Sequence, residues 1–299
     1  MSKPQPHIEI RLLGPLQISV DGRPVCISGA KRALLLTLLA LRDGRSMAVD
    51  ALMEELWGPD VPATERNAVQ HHVTRLRASL GRESIVPSHG GYALVGATTD
   101  ATAFEALVSD ARAALRDGDP PRAAALAARA LGLWRGAALQ GLDSPSLSAE
   151  AARLEALRVD ALEEHFEAAL ALGRHREVVS ELQHAIDENP FRERLWRQLM
   201  LALYRSGRQV DALETYQMAR RMLLDQLGLE PSPGLREVQE AILAHDPAIA
   251  DAAVATVDGR RQELEHLVEQ LRRDLRQAEA LFASARRALD PPVLVAVPA

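Results

Sequence analysis

The sequence predicts a mainly α-helical protein with a small β component, divided into two folded domains. Hydrophobic residues make up 47% of the 299 residues, but aromatic residues only 3%, a composition common among helical proteins. Strand-like patterns with turn signals occur only in the first third of the chain, and amphipathic helical patterns fill the remainder. A chain of this length favours two hydrophobic cores over one.

Charge is distributed unevenly along the chain. Residues 1–97 contain 11 Lys and Arg against 9 Asp and Glu, net +2, whereas the remainder contains 24 against 32, net −8. Because nucleic acid attracts positive charge, we expect any DNA-binding site in the first part. We find neither a signal-peptide core at the start nor the roughly 18 apolar residues of a membrane span, so we expect a cytoplasmic protein. We expect the single cysteine, Cys26, to be a small core residue.

The first 58 residues predict a small sheet followed by two helices. Residues 8–27 alternate apolar and polar side chains in three short runs, which predicts an antiparallel meander. A helix is expected from Ala30 to near Gly44, followed by a short strand around residues 46–49. Asp50 is the expected N-cap of a second helix, which stops at Gly58 and Pro59.

A third helix and a hairpin follow. Thr64 is the expected N-cap of a helix over residues 65–80 that ends at Gly81. Two strand-like runs then flank a predicted turn over residues 88–91. A meander, three helices and a final hairpin are the parts of a winged helix, which we expect over residues 8–96.

The third helix is the candidate DNA-reading element. At 100° per residue, one arc of apolar residues is expected to be buried: Val69, Val73, Leu76 and Leu80. The opposite face is free of acidic residues and carries Asn67, Gln70, His71, Thr74 and Ala78. Asn or Gln can pair with adenine, and His or Thr can reach base edges. Arg75 and Arg77, on the two flanks, are each placed to reach a phosphate strand. The alternative is that this face is merely solvated.

Residues around the helix complete the predicted interface. The turn after Thr64 offers free backbone N–H groups to a phosphate. His89 at the hairpin tip would approach the minor groove or the backbone, and Gly90 with Gly91 would permit a tight turn. His72 lies near the edge of the buried arc, so we expect it to be structural.

The second part of the chain has a period of 34 residues, which is that of tetratricopeptide repeats. Gly173 and Gly207 are 34 residues apart, and four further pairs match at this offset: Leu170 with Tyr204, Val178 with Ala212, Leu182 with Tyr216, and Ala185 with Ala219. The same spacing from a turn glycine recurs at Gly118, Ala123 and Ala130. Chance matching in an alanine-rich bundle is the alternative. The stretch 135–148 interrupts the array.

These patterns give three segments: a DNA-binding domain over 1–97, a tetratricopeptide-like domain over 98–246, and an extension over 247–299. A last helix is expected over 258–289, with a weak heptad pattern that favours packing on this chain or a partner over a strong zipper. The stretch from Pro291 to Ala299 is expected to be a loose tail.

Several runs resemble the Streptomyces antibiotic regulatory protein family. They are LLGPLQISVDGRPV, KRALLLTLLAL, VDALMEELWG, QHHVTRLRASLG, HGGYAL and, later, DALETYQMARRMLLDQLGLEPSPGL. The resemblance implies a winged helix of the OmpR type joined to a bacterial transcriptional activation domain. The family commonly has an aromatic residue where His72 stands, so the packing of the third helix could differ here. The helix expected over 258–289 lies beyond the family's usual two domains, so the resemblance implies nothing about its role.

The resemblance also implies a function. It implies a pathway-specific activator of secondary-metabolite genes that binds direct repeats in promoter DNA as side-by-side protomers and recruits RNA polymerase. The family's DNA contacts map onto Asn67, His71, Thr74, Arg75, Arg77, His89 and Gly90. The polymerase-facing loop maps onto Gly58, Pro59, Asp60, Val61, Pro62 and Ala63.

Other functions find less support in the residues. GxSxG, HExxH, CxxC and phosphate-loop motifs are absent from the sequence, and the histidines of the helical region lack metal-pair spacing, so we expect no enzyme, cofactor or metal. We also expect no phosphorylation-receiver domain, because the first strand begins at residue 8. A helical-repeat adaptor that binds protein, or a repressor with the same DNA contacts, remains an alternative.

Overall fold

A computed structural model describes residues 7–58 and 65–250. Its strands and helices follow one another as a β-rich first part and an all-helical second part, which confirms the predicted fold class. The elements are β1 (Ile8–Arg11), β2 (Gln17–Val20), β3 (Arg23–Pro24), α1 (Ala30–Ala40), β4 (Met47–Ala48), α2 (Val49–Trp57), α3 (Glu65–Leu80), β5 (Ile85–Ser88), β6 (Gly91–Leu94), β7 (Ala97–Thr99), α4 (Asp100–Arg116), α5 (Pro120–Leu131), α6 (Pro145–Ala171), α7 (Val179–Glu188), α8 (Glu193–Arg205), α9 (Gln209–Leu227), α10 (Pro233–Leu243) and α11 (Pro247–Ala250).

The first sheet has the strand order β3-β2-β1-β7. β1, β2 and β3 pair antiparallel as the predicted meander, with Ile10 opposite Ile18. β7 pairs parallel to β1, with Ile10 opposite Thr99, an addition that the sequence pattern did not indicate. The chain therefore returns to its own N-terminal strand before the helical part begins.

Three helices and a second sheet of order β4-β6-β5 form the winged helix. Two details differ from the prediction. Asp50 is the second residue of α2, and Ala48 takes the N-cap position, because β4 runs directly into the helix. α1 ends at Ala40, and turns occupy the residues up to Gly44, which has a positive φ of 77°.

In the helical part, α4 packs on α5, α5 on α6, α7 on α8 and α8 on α9. Gly118, Gly173 and Gly207 follow α4, α6 and α8 at positive φ values of 73°, 76° and 81°, a conformation that favours glycine at helix ends. Seven of the eight residues paired at the 34-residue offset are buried: Leu170, Val178, Leu182, Ala185, Ala212, Tyr216 and Ala219. Tyr204 is half-buried.

The stretch between α5 and α6 docks onto the winged helix. The backbone N–H groups of Arg135 and Leu139 donate to the carbonyl oxygens of Leu13 and Leu12, each at 2.8 Å. One hydrophobic core consequently runs from β1 to Ala161 in α6, and a second core begins at Phe166 of the same helix. The expected boundary at residue 97 lies inside β7 and inside the first core, so it does not coincide with a break in packing.

Two further expectations concern single features. Cys26 is exposed, and the expectation of a core position was wrong because its neighbours Val25 and Ile27 are the residues that pack against the core, so Cys26 lies on the outer side. The helix expected over 258–289 lies outside the described residues. Within the described part, the helices are all too short or too polar to cross a membrane.

Candidate nucleic-acid interface

α3 separates its apolar and polar residues onto opposite sides, as predicted. The four residues of the apolar arc are each at most 1% exposed: Val69, Val73, Leu76 and Leu80. The residues of the opposite face are all exposed: Asn67, Gln70, His71, Thr74 and Ala78. Burial of the apolar arc thus fixes the rotation of the helix about its axis, and that rotation turns the polar face outward.

The polar groups of this face differ in how free they are. The Thr74 hydroxyl donates to the Gln70 carbonyl oxygen at 2.9 Å, so its proton stays within the helix and its oxygen is left as an acceptor. The side-chain amides of Asn67 and Gln70 make no hydrogen bond to other described residues. The His71 ring makes an edge contact with His72, with centroids 6.2 Å apart.

The two flanking arginines have different surroundings. Arg75 is exposed, and its guanidinium has no ion pair among the described residues. Arg77 is half-buried: its Nε donates to the Ile85 carbonyl oxygen at 2.8 Å, and its guanidinium carbon lies 5.9 Å from the centroid of the Tyr92 ring. The prediction gave both arginines the same role, because they lie at about equal angles on either side of the polar face.

The wing is a two-residue hairpin. His89 and Gly90 both have left-handed φ angles, 47° and 74°, as the favoured two-residue hairpin turns require. Ser88 Oγ and His89 Nδ1 share a hydrogen bond of 2.9 Å. Ser88 and Gly91 are paired strand residues, so the turn is shorter than the predicted turn over 88–91.

Gly91 serves strand pairing and not the turn. A Cβ atom at this position would lie 1.8 Å from the Met47 carbonyl oxygen, because β4 passes close to the backbone of β6. Only glycine permits this approach. The wing is therefore fastened to the strand that leads into α2.

A cluster that the sequence analysis did not identify joins α1, α2 and α3. Lys31 Nζ lies 4.4 Å from the centroid of the Trp57 ring and donates to the Leu56 carbonyl oxygen at 2.7 Å. The Trp57 and His72 rings stack with centroids 6.0 Å apart, which agrees with the structural role expected for His72. The available signal was a lysine at the start of one helix and a tryptophan at the end of the next.

The loop between α2 and α3 is described only at its start. Gly58 has a φ of 92°, and its N–H donates to the Glu54 carbonyl oxygen at 2.7 Å, which closes α2. The other residues of the predicted polymerase-facing loop, Pro59, Asp60, Val61, Pro62 and Ala63, lie outside the described residues, as does the predicted cap Thr64.

A three-helix core, a β-hairpin wing and an outward polar third helix define a winged-helix DNA-binding domain, joined here to a helical array. Comparison with known families agrees with this class. Residues 24–93 match the family described as "Transcriptional regulatory protein, C terminal", and residues 99–243 match "Bacterial transcriptional activator domain".

Curated relatives then identify the family. "Regulatory protein DnrI" of Streptomyces peucetius is 38% identical over 81% of this chain and 94% of its own length. "Regulatory protein AfsR" of Streptomyces coelicolor is 40% identical over 83% of this chain, which spans only 25% of that longer protein. The chain belongs to the Streptomyces antibiotic regulatory protein family of transcriptional regulators, as the sequence resemblance indicated.

A solved structure shows the same architecture. It is "Mycobacterium tuberculosis EmbR in complex with low affinity phosphopeptide", which superposes with a TM-score of 0.77 at 33% identity. The match covers 87% of this chain and 71% of that one. Both parts of the fold are therefore present together in a relative.

Proposed function

We propose that the protein is a sequence-specific DNA-binding activator of transcription, acting on promoters of secondary-metabolite genes. The observation that carries the proposal is the outward, acid-free polar face of α3, held in place by four buried apolar residues. Because chromosomal DNA lies in the cytoplasm, the proposed activator would act there. The proposed function requires no catalytic step, metal or cofactor.

The central residues of the face are proposed to read bases. Asn67 and Gln70 have side-chain amides that suit adenine, and His71 or the Thr74 oxygen can reach a neighbouring base edge. Arg75 is exposed beside this face and is proposed to bind a phosphate. Thr64, at the start of α3, is proposed to cap the helix and leave N–H groups for another phosphate.

The wing and the loop are proposed to make the remaining contacts. His89 and Gly90 form the exposed tip of the wing and are proposed to approach the minor groove or the backbone. The loop from Gly58 to Ala63 is proposed to face RNA polymerase, by analogy with relatives of the OmpR type.

Domain use and assembly follow from the same proposal. The segment 1–97 is proposed to bind DNA, 98–246 to act as a tetratricopeptide-like activation domain, and 247–299 to be an extension. Promoter direct repeats would place two protomers side by side in the same orientation, each with its α3 in a major groove.

Binding measured against salt concentration tests the DNA-binding part. A promoter fragment from neighbouring biosynthetic genes and a random duplex of equal length should both bind less tightly as salt rises, because phosphate contacts release counterions. Arg75→Ala should weaken binding to both duplexes and reduce the salt slope by about 1. Asn67→Ala and His71→Ala should reduce the preference for the promoter with little change in the slope.

Other outcomes would favour the alternative functions. A flat salt response of the wild-type protein would favour a protein-binding adaptor. Equal losses from all three substitutions on both duplexes would refute the division between base and phosphate contacts. Promoter binding that lowers transcript yield with purified polymerase would indicate a repressor.

A further inference from the structure

Arg77 is the residue of α3 whose surroundings depart most from its predicted role. It lies in the last turn of the helix, where a positive side chain is favoured by the helix dipole. Its side chain extends toward the hairpin, and its Nε–H group donates to the Ile85 carbonyl oxygen. Arg75, two residues earlier, has no such contact and is exposed.

The carbonyl group that Arg77 binds belongs to an edge strand. In the order β4-β6-β5, β5 has one neighbour among the described strands. The Val95 N–H donates to the Ser84 carbonyl oxygen at 2.8 Å, and in an antiparallel pair the next residue, Ile85, directs its backbone groups the other way. The Ile85 carbonyl oxygen therefore points away from β6. Arg77 Nε donates to it where the backbone N–H of a further strand would otherwise do so.

A second contact reaches the other strand of the wing. Tyr92 in β6 presents its ring to the Arg77 guanidinium, within the range of a cation–π interaction. Tyr92 is also the partner of Pro87 in β5 and Met47 in β4. One side chain from α3 thus touches both strands of the hairpin.

The contact between Arg77 and Ile85 lies far enough from the hairpin tip that it can control where the tip lies. The tip residue His89 lies four residues beyond Ile85, roughly 13 Å along the strand. A small rotation of β5 at Ile85 therefore becomes a larger displacement of the tip relative to the polar face of α3.

We propose that Arg77 is a positioning residue that fixes the wing against the recognition helix, and that Arg75 supplies the phosphate contact on this part of α3. This inference rests on the proposed DNA-binding function and refines it. It assigns Arg77 a role different from the phosphate contact that the sequence predicted.

Two substitutions separate a positioned donor from a charge. In Arg77→Gln, the amide nitrogen stands the same number of bonds from the backbone as Arg Nε, so the hydrogen bond to Ile85 is kept and the charge is lost. Arg77→Met keeps a stem of similar length and loses both. Arg75→Gln is the matched exposed control. Each variant should fold, because Ile85, Ala93 and Leu94 keep the hairpin anchored in the core.

DNA binding provides the first readout. Arg75→Gln should reduce the salt slope by about 0.9 on any duplex, as expected for one lost phosphate contact. Arg77→Gln should keep the wild-type slope and most of the wild-type affinity, because it keeps the hydrogen bond to Ile85 but loses the charge and the contact with the Tyr92 ring. Arg77→Met should keep the slope but bind promoter DNA about tenfold more weakly, as expected for loss of a charge-assisted hydrogen bond, and should lose hydroxyl-radical protection at the wing contact. A slope lost in Arg77→Gln as in Arg75→Gln would overturn the proposal.

Hydrogen exchange of the DNA-free protein provides the second readout. Amides of β5 and β6 should exchange about tenfold faster in Arg77→Met, and at a rate closer to wild type in Arg77→Gln, which keeps the hydrogen bond to Ile85. Equal exchange rates in wild type and Arg77→Met would refute the positioning role of Arg77, even if DNA binding changed as expected. If amides exchange faster in Arg77→Met but the wild-type protein shows no salt-dependent DNA binding, the positioning role of Arg77 is supported and the proposed DNA-binding function is refuted.

Discussion

Single residues of the wing show how closely the DNA-binding geometry depends on backbone contacts. Gly91 and Gly90 are neighbours, but they serve different needs. Gly90 has a left-handed φ with open space around its Cα, whereas Gly91 lies directly against the backbone of β4. The two glycines therefore predict different costs of substitution.

Gly91→Ala is expected to lower the free energy of unfolding by about 1–3 kcal/mol or more, since the new methyl group meets the Met47 carbonyl oxygen and cannot be relieved by a side-chain movement. Gly90→Ala should cost less, about 1–2 kcal/mol, because only the left-handed conformation is penalised. Urea unfolding followed by circular dichroism measures both. Equal stability of wild type and Gly91→Ala would contradict the close approach of β4.

At the scale of elements, the junction between the two parts depends on the start of α4. Asp100 accepts hydrogen bonds from the backbone N–H groups of Leu12 and Leu13 at 2.5 and 3.2 Å. Arg135 Nη2 donates to the same carboxylate at 3.3 Å, and Arg135 Nη1 donates to the Pro15 carbonyl oxygen at 3.0 Å. One buried carboxylate at the start of α4 thus joins the residues just after β1 to the stretch after α5.

Asp100→Ala should destabilise the protein by about 3–5 kcal/mol, because it leaves two buried N–H groups and the Arg135 Nη2 group without their acceptor. Glu105→Ala is the matched control on the same helix, since it removes an exposed ion pair with Arg153 and should cost less than about 1 kcal/mol. Urea unfolding compares the two. Similar small losses would show that the Asp100 contacts do not stabilise the junction.

α6 and the turn that follows it contain two histidines, His165 and His175, whose burial predicts a pH dependence. Burial lowers the pKa of His165, opposed in part by Glu181, and burial together with Arg205 lowers the pKa of His175. In each case the folded protein favours the neutral ring. Their contribution to stability is therefore complete above the unfolded pKa, near 6.5, and is lost as the pH falls through the lower folded pKa values.

Unfolding measured between pH 8 and pH 4.5 should accordingly show a loss of stability on the acid side that is smaller in His175→Gln. His184→Gln is the control, because His184 is exposed on α7. A pH profile of His175→Gln identical to that of wild type would exclude His175 as a contributor. Burial also raises the pKa of the Glu163 carboxyl, so the histidine contribution is taken from the difference between each variant and wild type.

Local periodicity explains which elements the sequence could predict. The ends of α3 and its buried arc follow from a 3.6-residue pattern and a terminal glycine, both contained in 17 residues. The pairing of β7 with β1 and the contacts of Asp100 join residues nearly 90 positions apart, and no local pattern records them. Cys26 was misplaced for a different reason: a lone cysteine was taken for a core residue, although its neighbours Val25 and Ile27 are the ones that pack against the core.

At the scale of the whole molecule, charge and packing divide the chain differently. The net charge is +2 over residues 1–97 and −8 over the rest, so phosphate attracts the first part and repels the second. Packing does not follow this division, because the first core continues through α4 and α5 into α6. The helical part is consequently seated against the winged helix at a fixed orientation.

The three tryptophans of the chain can test this division of packing. Trp57 and Trp134 both pack against the first core, although they lie on opposite sides of residue 97, and Trp196 belongs to the second core. Single-tryptophan variants, with the other two replaced by phenylalanine, should therefore report the same urea midpoint from Trp57 and Trp134. Circular dichroism of each variant controls for differences in overall stability. If residue 97 separated two independent units, Trp134 would follow Trp196, and Trp57 would unfold at its own midpoint.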